Sequence, residues 1–465
     1  MISMVPPAIL LASTCWWHSV PRLALALADA GCDVSAIYPS RGHPLDSVPS
    51  VTKRFIYCHK DPLQALRDAI RAAKPDLIVP CDDRAILHLQ KLHALETYGG
   101  PRDDEAPGYI ARLIERSLGS PEGFATARAR YPLISMARAA GLPAPETGKL
   151  RTPEDLDQWL SRHGLPTVLK VDGSWGGNGV FVVRSSEEAH RVFRKLSRPC
   201  SYLLALKRRV VNRDPYWLLE SRRRTPGVVS AQTYIEGSPA NCAMFCWEGS
   251  VLAGIAVEVL QARNPKAPAT IVKVVDNPEM MAAARVLASR LELSGFFGLD
   301  FMIDSKTRIP QLIELNARPT PLCHLRLGQG RDLVGALAAT LFGRSLPPKL
   351  ITPSNVIAYF PDAARVNAAE IPPGAYHDIP IDAPALVTEL LRRPWPNRSL
   401  LARTFDWWVG VVASGIELAR RRPTRAQPKP LVSDRISSVV DRKPSVGELP
   451  ERATAGPVMA HVKMD

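Results

Sequence analysis

The sequence predicts an α/β domain, then an α+β domain, then a C-terminal extension. Three observations carry this reading. Strand and helix signals alternate between residues 8 and 98, which favours a parallel α/β sheet. From 165 to 320 strands dominate, with one strong helix. Beyond Arg420 the chain is Pro-rich, basic and without period, the composition of a disordered tail. The boundaries fall at 1–118 for the first domain, 119–345 for the second, 346–420 for a mostly helical extension and 421–465 for the tail.

In the first domain Ala8–Ser13 is an apolar run, and a helical pattern from Val20 to Ala30 stops at Gly31. Cys32–Tyr38 is the next strand, Asp61–Ala73 a helix and Pro75–Pro80 a short apolar strand. No Gly-rich fingerprint follows the first strand, which continues Ser13-Thr14-Cys15-Trp16-Trp17, and this argues against NAD. Asp82 and Asp83 follow a strand end, where ligands bind in open α/β sheets, but a helix N-cap pair is the favoured reading. Residues 99–107 read as a loop, and Gly141-Leu142-Pro143-Ala144-Pro145 is a firm helix stop. Thr152-Pro153-Glu154-Asp155 has the form of a capped helix start. The strong helix is Pro278–Leu293, with Met281, Ala284, Ala288 and Leu291 on one face and Gly295 beyond it. Another helix spans 331–342 and ends at Gly343, and 350–418 holds a short strand and two helix-like segments.

Composition sets outer limits. The chain has 465 residues and 46% hydrophobic residues, enough for a large core. Its net charge of +14 suits acidic ligands or an anionic surface without selecting one. From Arg420 onward ten Lys/Arg face five Asp/Glu, so part of that excess is in the tail. Eight scattered cysteines lack zinc-finger spacing. No leader pattern and no run of 18 or more apolar residues is found, so a reducing cytoplasm is the default expectation.

Three segments carry chemistry. In Val168–Val183 two β-type runs flank a loop with four glycines, Gly173, Gly176, Gly177 and Gly179. Such a loop brings backbone N–H groups close to a phosphate, and Lys170 can reach one as a point charge. An ordinary hairpin with a flexible tip is the alternative. The second segment runs from Gly298-Leu299-Asp300 through a turn at Ser305–Arg308 to Glu314-Leu315-Asn316-Ala317-Arg318. Period-2 alternation and a turn centred near residue 306 place Asp300 across from Glu314, with Asn316 on the same face. Two carboxylates and an amide oxygen form a hard-oxygen set suited to Mg²⁺. A polar outer face of a hairpin is the bland reading, weakened by Arg318, which follows at the same step and could meet phosphate oxygens. The third segment, Ser230–Gly237, is a short strand running into a polar turn.

In this order and spacing the three segments resemble the ATP-grasp superfamily, over roughly residues 8–345. Glu314-Leu315-Asn316-Ala317-Arg318-Pro319 is the most specific match. The resemblance implies ATP held between two α+β lobes, one carrying the Gly-rich loop as a lid through Gly176, Gly177 and Gly179. It implies that Lys170 contacts the α/β phosphates and that Arg130 stands where the family often has another phosphate-contacting Lys. Gln232, where many members have Glu, would contact the nucleotide through its side-chain oxygen. Thr233 and Ile235 would offer backbone groups to the adenine, and Glu236 would reach the ribose. Asp300, Glu314 and Asn316 would bind Mg²⁺, with Mn²⁺ as a substitute, and Arg318 would stabilise the transferred phosphoryl group beside Lys170. The implied activity is ADP-forming ligation of a small-molecule carboxylate to an amine or similar nucleophile. A phosphotransfer or carboxylase reaction on the same fold, or a non-catalytic nucleotide-binding regulator, is the alternative.

Other signals are weighed down. His324 and Arg326 could face a substrate, but a structural role is favoured. Arg208-Arg209 and Arg222-Arg223-Arg224 read as solvated charge runs. Residues 405–422 combine aromatics, a short apolar run and three arginines. A helix packed on the enzyme, or a homodimer contact, is favoured there over an anionic membrane surface. The basic tail accompanies no nucleic-acid reader module, so no specific nucleic acid is expected.

Overall fold

Ala8–Ala12 (β1) is apolar on both faces and almost wholly buried, as a strand inside a parallel sheet must be. In the computed structural model it lies between β2 (Asp33–Tyr38) and β4 (Leu77–Pro80), with β3 (Val51–Ile56) at the edge, in the order β3-β2-β1-β4, all pairs parallel. The structure describes residues 5–98, 108–171, 179–198, 227–262, 268–344, 350–366 and 370–392, with isolated positions at 202–218 and at 347. Helices α1 (Ser19–Asp29), α2 (Pro62–Ala73), α3 (Asp83–Tyr98) and α4 (Tyr109–Leu118) cover this sheet. β3 escapes the sequence pattern because its central residues are exposed and polar, as befits an edge. α2 starts where its caps require: the Asp61 side chain accepts from Gln64 N–H and Pro62 opens the helix.

Helices α5 (Pro121–Arg128) and α6 (Arg130–Ala139) lead into a small antiparallel sheet. It contains β5 (Thr147–Leu150), β6 (Thr167–Val171), β7 (Val180–Val183) and β8 (Val229–Thr233), in the order β5-β8-β6-β7. Helices α7 (Pro153–His163) and α8 (Ser186–Ser197) pack on it through a core of their own. The capping box spelled by Thr152 and Asp155 is formed, each side chain satisfying the other's backbone N–H.

The third sheet has seven strands, β13-β12-β9-β10-β11-β14-β15. These are β9 (Gly237–Trp247), β10 (Ser250–Ala262), β11 (Ala269–Val275), β12 (Gly295–Asp304), β13 (Pro310–Asn316), β14 (Val356–Tyr359) and β15 (Tyr376–Asp378). One face packs on α6 and α9 (Pro278–Arg290), and the other on α10 (Leu333–Phe342) and the first sheet. The buried stripe of α9 is Met280, Ala283, Ala284, Leu287 and Ala288, a slight rotation from the expected face that leaves Met281 half-buried. The extension was expected to be mostly helical. Its described part adds β14 and β15 to the sheet edge before α11 (Pro384–Leu391), and 393–420 lie outside the described residues. Strands of four and three residues are too short for a period to show in sequence.

Candidate active site

The site begins as a row of side chains across three neighbouring strands. Asp300 on β12 lies opposite Glu314 on β13 and opposite Asn241 on β9. Directly opposed residues share a face of the sheet, so the three groups project together. A bulge between Asp300 and Phe301 interrupts the strict alternation on β13. It lets both Leu312 and Leu315 turn into the core while Glu314 and Asn316 stay on the polar face. Asn316 faces Gly298, where a Cβ would lie 2.3 Å from Thr320 Cγ2. Only glycine lets the Thr320 segment pass that close beneath the row.

Hydrogen bonds tie the row together. Asn241 Nδ2 donates to Asp300 Oδ1 at 2.6 Å and Asn316 Nδ2 to Asp300 Oδ2 at 3.1 Å. Arg318 Nη2 donates to Asn316 Oδ1 at 3.3 Å. From α6, Arg130 Nη2 donates to both oxygens of Glu314, at 3.1 and 3.3 Å, while its Nη1 donates to the Val171 carbonyl at 2.7 Å. Arg130 thus bridges the large sheet to the strand that carries Lys170. Lys170 is 5% exposed, and its Nζ donates to Gln232 Oε1 at 2.5 Å.

The electrostatics are those of charges held partly out of water. Burial pushes the Lys170 ammonium down to about 8; Arg130 reinforces this and the Glu314 and Asp300 carboxylates oppose it. Burial, reinforced by Glu314, pushes the Asp300 carboxyl above its usual range against the N–H bonds of Asn241 and Asn316. Burial also works against the Arg318 guanidinium, but Asp83 and the row carboxylates outweigh it and hold Arg318 above its ordinary value.

Asp83 enters from the first sheet. Arg318 Nε donates to its Oδ1 at 3.2 Å, so the first residue of α3 touches the polar row. Burial raises the Asp83 carboxyl, with Arg318 opposing. The N-cap reading fits its neighbour: Asp82 accepts from Ala85 N–H at 2.9 Å and also from the Thr14 N–H and hydroxyl at 2.6 and 2.7 Å. The N-cap expectation therefore fails for Asp83 alone. Asn241 carried no signal in the sequence at all, because its partner is 59 residues away.

Other expected residues divide. Gln232 does not present a free side-chain oxygen, because that oxygen takes Lys170 and the amide nitrogen donates to Thr147 Oγ1 at 3.2 Å. The Thr233 N–H is committed to the Glu146 carbonyl at 3.0 Å, so it is not a donor for an adenine. Ile235 is half-buried and Glu236 exposed; the Glu236 carbonyl accepts from Ser305 N–H at 2.8 Å and ties the segment to the β12–β13 turn. Gly179 accepts from Val171 N–H at 3.1 Å. Gly173, Gly176 and Gly177 lie outside the described residues, as do Arg208, Arg222, Arg223, Arg224 and everything from 393 onward, which includes 405–422 and the tail. His324 is bound to Asp378 and Arg326 to Asp332 and Asp29, both as structural groups.

The donor set fits a hard divalent cation. It offers two carboxylates and one amide oxygen. Among the described residues no group of three or more His, Cys, Asp or Glu could hold a metal alone. A cation here would share its coordination with phosphate oxygens, which is how Mg²⁺ is commonly held. Among the described residues no helix is long and apolar enough to cross a membrane.

No family model matches the chain. Over 82 residues, 17% of this chain, it is 32% identical to the carbamoyl phosphate synthase large chain of Pyrococcus furiosus. Over 85 residues, 18% of the chain, it is 34% identical to that of Pyrobaculum aerophilum. The chain matches only 8% of the length of each of these relatives. Solved structures are similar over far more of it. The ADP complex of PurK, an N5-carboxyaminoimidazole ribonucleotide synthetase, matches with a TM-score of 0.53 and 16% identity over 76% of this chain and 82% of that one. N5-carboxyaminoimidazole synthase from Aspergillus clavatus, in complex with ADP and the aminoimidazole ribonucleotide, matches at 0.52 and 14% over 73% and 78%. Biotin carboxylase from Campylobacter jejuni matches at 0.51 and 14% over 73% and 72%. With the parallel sheet ahead of the small antiparallel sheet and the large mixed one, these likenesses establish that the chain has the ATP-grasp fold.

Proposed function

We propose that the chain is an ATP- and Mg²⁺-dependent ligase that phosphorylates a small-molecule carboxylate and joins the acyl group to an amine or similar nucleophile. One observation carries this reading. Lys170, Arg130 and Arg318 converge from separate elements on Asp300, Glu314 and Asn316. The three cations roughly balance Asp300, Glu314 and Asp83. The structural neighbours that are ADP complexes support a nucleotide there.

Asp300, Glu314 and Asn316 would hold Mg²⁺, which would supply charge neutralisation for the phosphoryl transfer. The remaining work belongs to the protein. Lys170 and Arg130 orient the phosphate chain. Arg318 offers its guanidinium to the phosphoryl group as it moves to the substrate carboxylate. ADP leaves, the nucleophile attacks the acyl carbon, and inorganic phosphate departs. Gln232 serves as the anchor that points Lys170. A cytoplasmic site of action is consistent with the seven described cysteines, all of them free. The partners proposed are the two small substrates, with a homodimer as a further proposal.

The test is ADP release, screened with Mg²⁺ against pooled carboxylates and amines. ADP formation that requires one carboxylate and one amine supports the ligase. Tight ATP binding with no turnover against any pool would mark a nucleotide-binding regulator instead.

A further inference from the structure

Asp300 is the one expected ligand whose two oxygens are both engaged by amide N–H groups. One donor, Asn316, is itself an expected ligand. The other, Asn241, belongs to β9, sits outside the hairpin and has no assigned role. It lies directly opposite Asp300, and its other cross-strand neighbour is Val257, which is fully buried. An apolar wall on one side and a carboxylate on the other leave the amide one polar partner across the strands.

We infer that Asn241 is a positioning residue for Asp300. It pins Oδ1, so that Oδ2 is the oxygen turned toward Glu314 and Asn316, and it keeps the carboxylate in the row. The chemistry of the position supports this. A Lys or Arg at 241 would form an ion pair with Asp300 and compete with a divalent cation for it. An Asp or Glu would add a third like charge beside two carboxylates. A carboxamide supplies a neutral donor of the required reach, which is how outer-shell groups commonly hold a metal-binding carboxylate.

The inference rests on the metal reading above, and the test separates the two. Mn²⁺ binding to the full-length chain with saturating ADP is measured by electron paramagnetic resonance, with ADP binding in the absence of divalent cation as control. Asn241→Leu removes the donor at similar size, and Asn241→Ala does so should the Leu side chain not fit. Either is expected to weaken Mn²⁺ by about 10- to 100-fold while metal-free ADP affinity and the near-ultraviolet circular dichroism stay unchanged. Asn241→His, whose ring Nδ1–H stands near the place of the amide nitrogen, is expected to remain within about threefold of the parent. Wild-type Mn²⁺ affinity in the Leu and Ala variants overturns the inference, as does a His variant as weak as they are. Asp300→Asn serves as reference. If it also leaves Mn²⁺ binding intact, the metal reading itself fails; if it alone loses binding, only the role of Asn241 does.

Discussion

Two buried charge clusters in this molecule use the same residue types to opposite ends. Around Asp378, Arg22 donates Nη1 to the backbone carbonyl at 2.8 Å and Nη2 to the carboxylate, and His324 Nε2 lies 2.8 Å from the other oxygen. Against the pull of burial, Arg22 and His324 hold that carboxyl below its usual range. Around Asp300 the balance is reversed: burial raises the carboxylate and depresses Lys170. In the closed cluster the cationic partners outweigh burial and favour the charged form of the carboxyl. An open cluster leaves its ions strained, and a charged ligand relieves that strain. The contrast, more than charge alone, separates a girder from a binding site.

The largest expected effect tests the open cluster. Asp300→Asn and Glu314→Gln should each lower ADP formation by about 10³-fold or more, since each would remove a charge from the proposed metal site. Thermal stability of Asp300→Asn should hold or rise. Its raised carboxyl binds more protons folded than unfolded, so the ionised form weakens the fold at neutral pH. Near-normal turnover in both variants would falsify the site.

Asp378→Asn should do the reverse, costing about 3–5 kcal/mol in denaturant unfolding because Arg22 is left buried without its counter-ion. Its carboxyl titrates lower when folded than when unfolded. The stability it contributes is therefore fully present above the ordinary Asp range near pH 4 and is lost as pH falls through the folded value. An acid unfolding curve that does not change in the Asn variant would mean the cluster is not the girder described. His18, 3.9 Å from Asp362, belongs to the same region, and burial lowers its ring below the usual value.

These partnerships mark the limit of what a single sequence discloses. Glu314 and Asn316 were legible because two-residue spacing on one strand places them on one face, and Arg318 follows at the same step just beyond the strand's end. Asp300 was legible because the turn after Asp304 sets a register across only a few residues. The strand-and-helix alternation of the first sheet was equally local. What failed was everything joined from a distance. Arg130 meets Glu314 across 184 positions, Arg318 meets Asp83 across 235 and Arg22 meets Asp378 across 356. Gln232 was read as a nucleotide contact, because its engagement by Lys170 depends on how β8 pairs with β6. β3 and a second strand in the extension were missed because an exposed edge and very short strands carry no apolar period.

The polar row also depends on backbone space. Gly298→Ala would force Thr320 away from β12, since the added Cβ meets Thr320 Cγ2 at 2.3 Å. A cost of about 1–3 kcal/mol in unfolding is expected, together with weaker Mn²⁺ binding, because Asn316 lies opposite that position. Wild-type stability in Gly298→Ala would show that the Thr320 segment yields without strain.

The smallest effect is the most discriminating, because Lys170 makes stability and ligand binding move in opposite directions. Burial pushes its ammonium from the ordinary 10.5 down to about 8. Between those values the unfolded chain holds the proton more tightly, so stability rises with pH across the window and is level on either side. Under the proposed function, affinity for metal-free ATP should instead fall as pH climbs past about 8, by up to tenfold per pH unit, because the cation proposed to face the phosphates is being lost. Isothermal titration from pH 7.5 to 9.5, paired with denaturant melts over the same range, reads both slopes. Lys170→Met should flatten the two together. If affinity falls with pH as steeply in that variant as in the parent, another group carries the phosphate contact, and the open cluster lacks the cation that distinguishes it from the closed one.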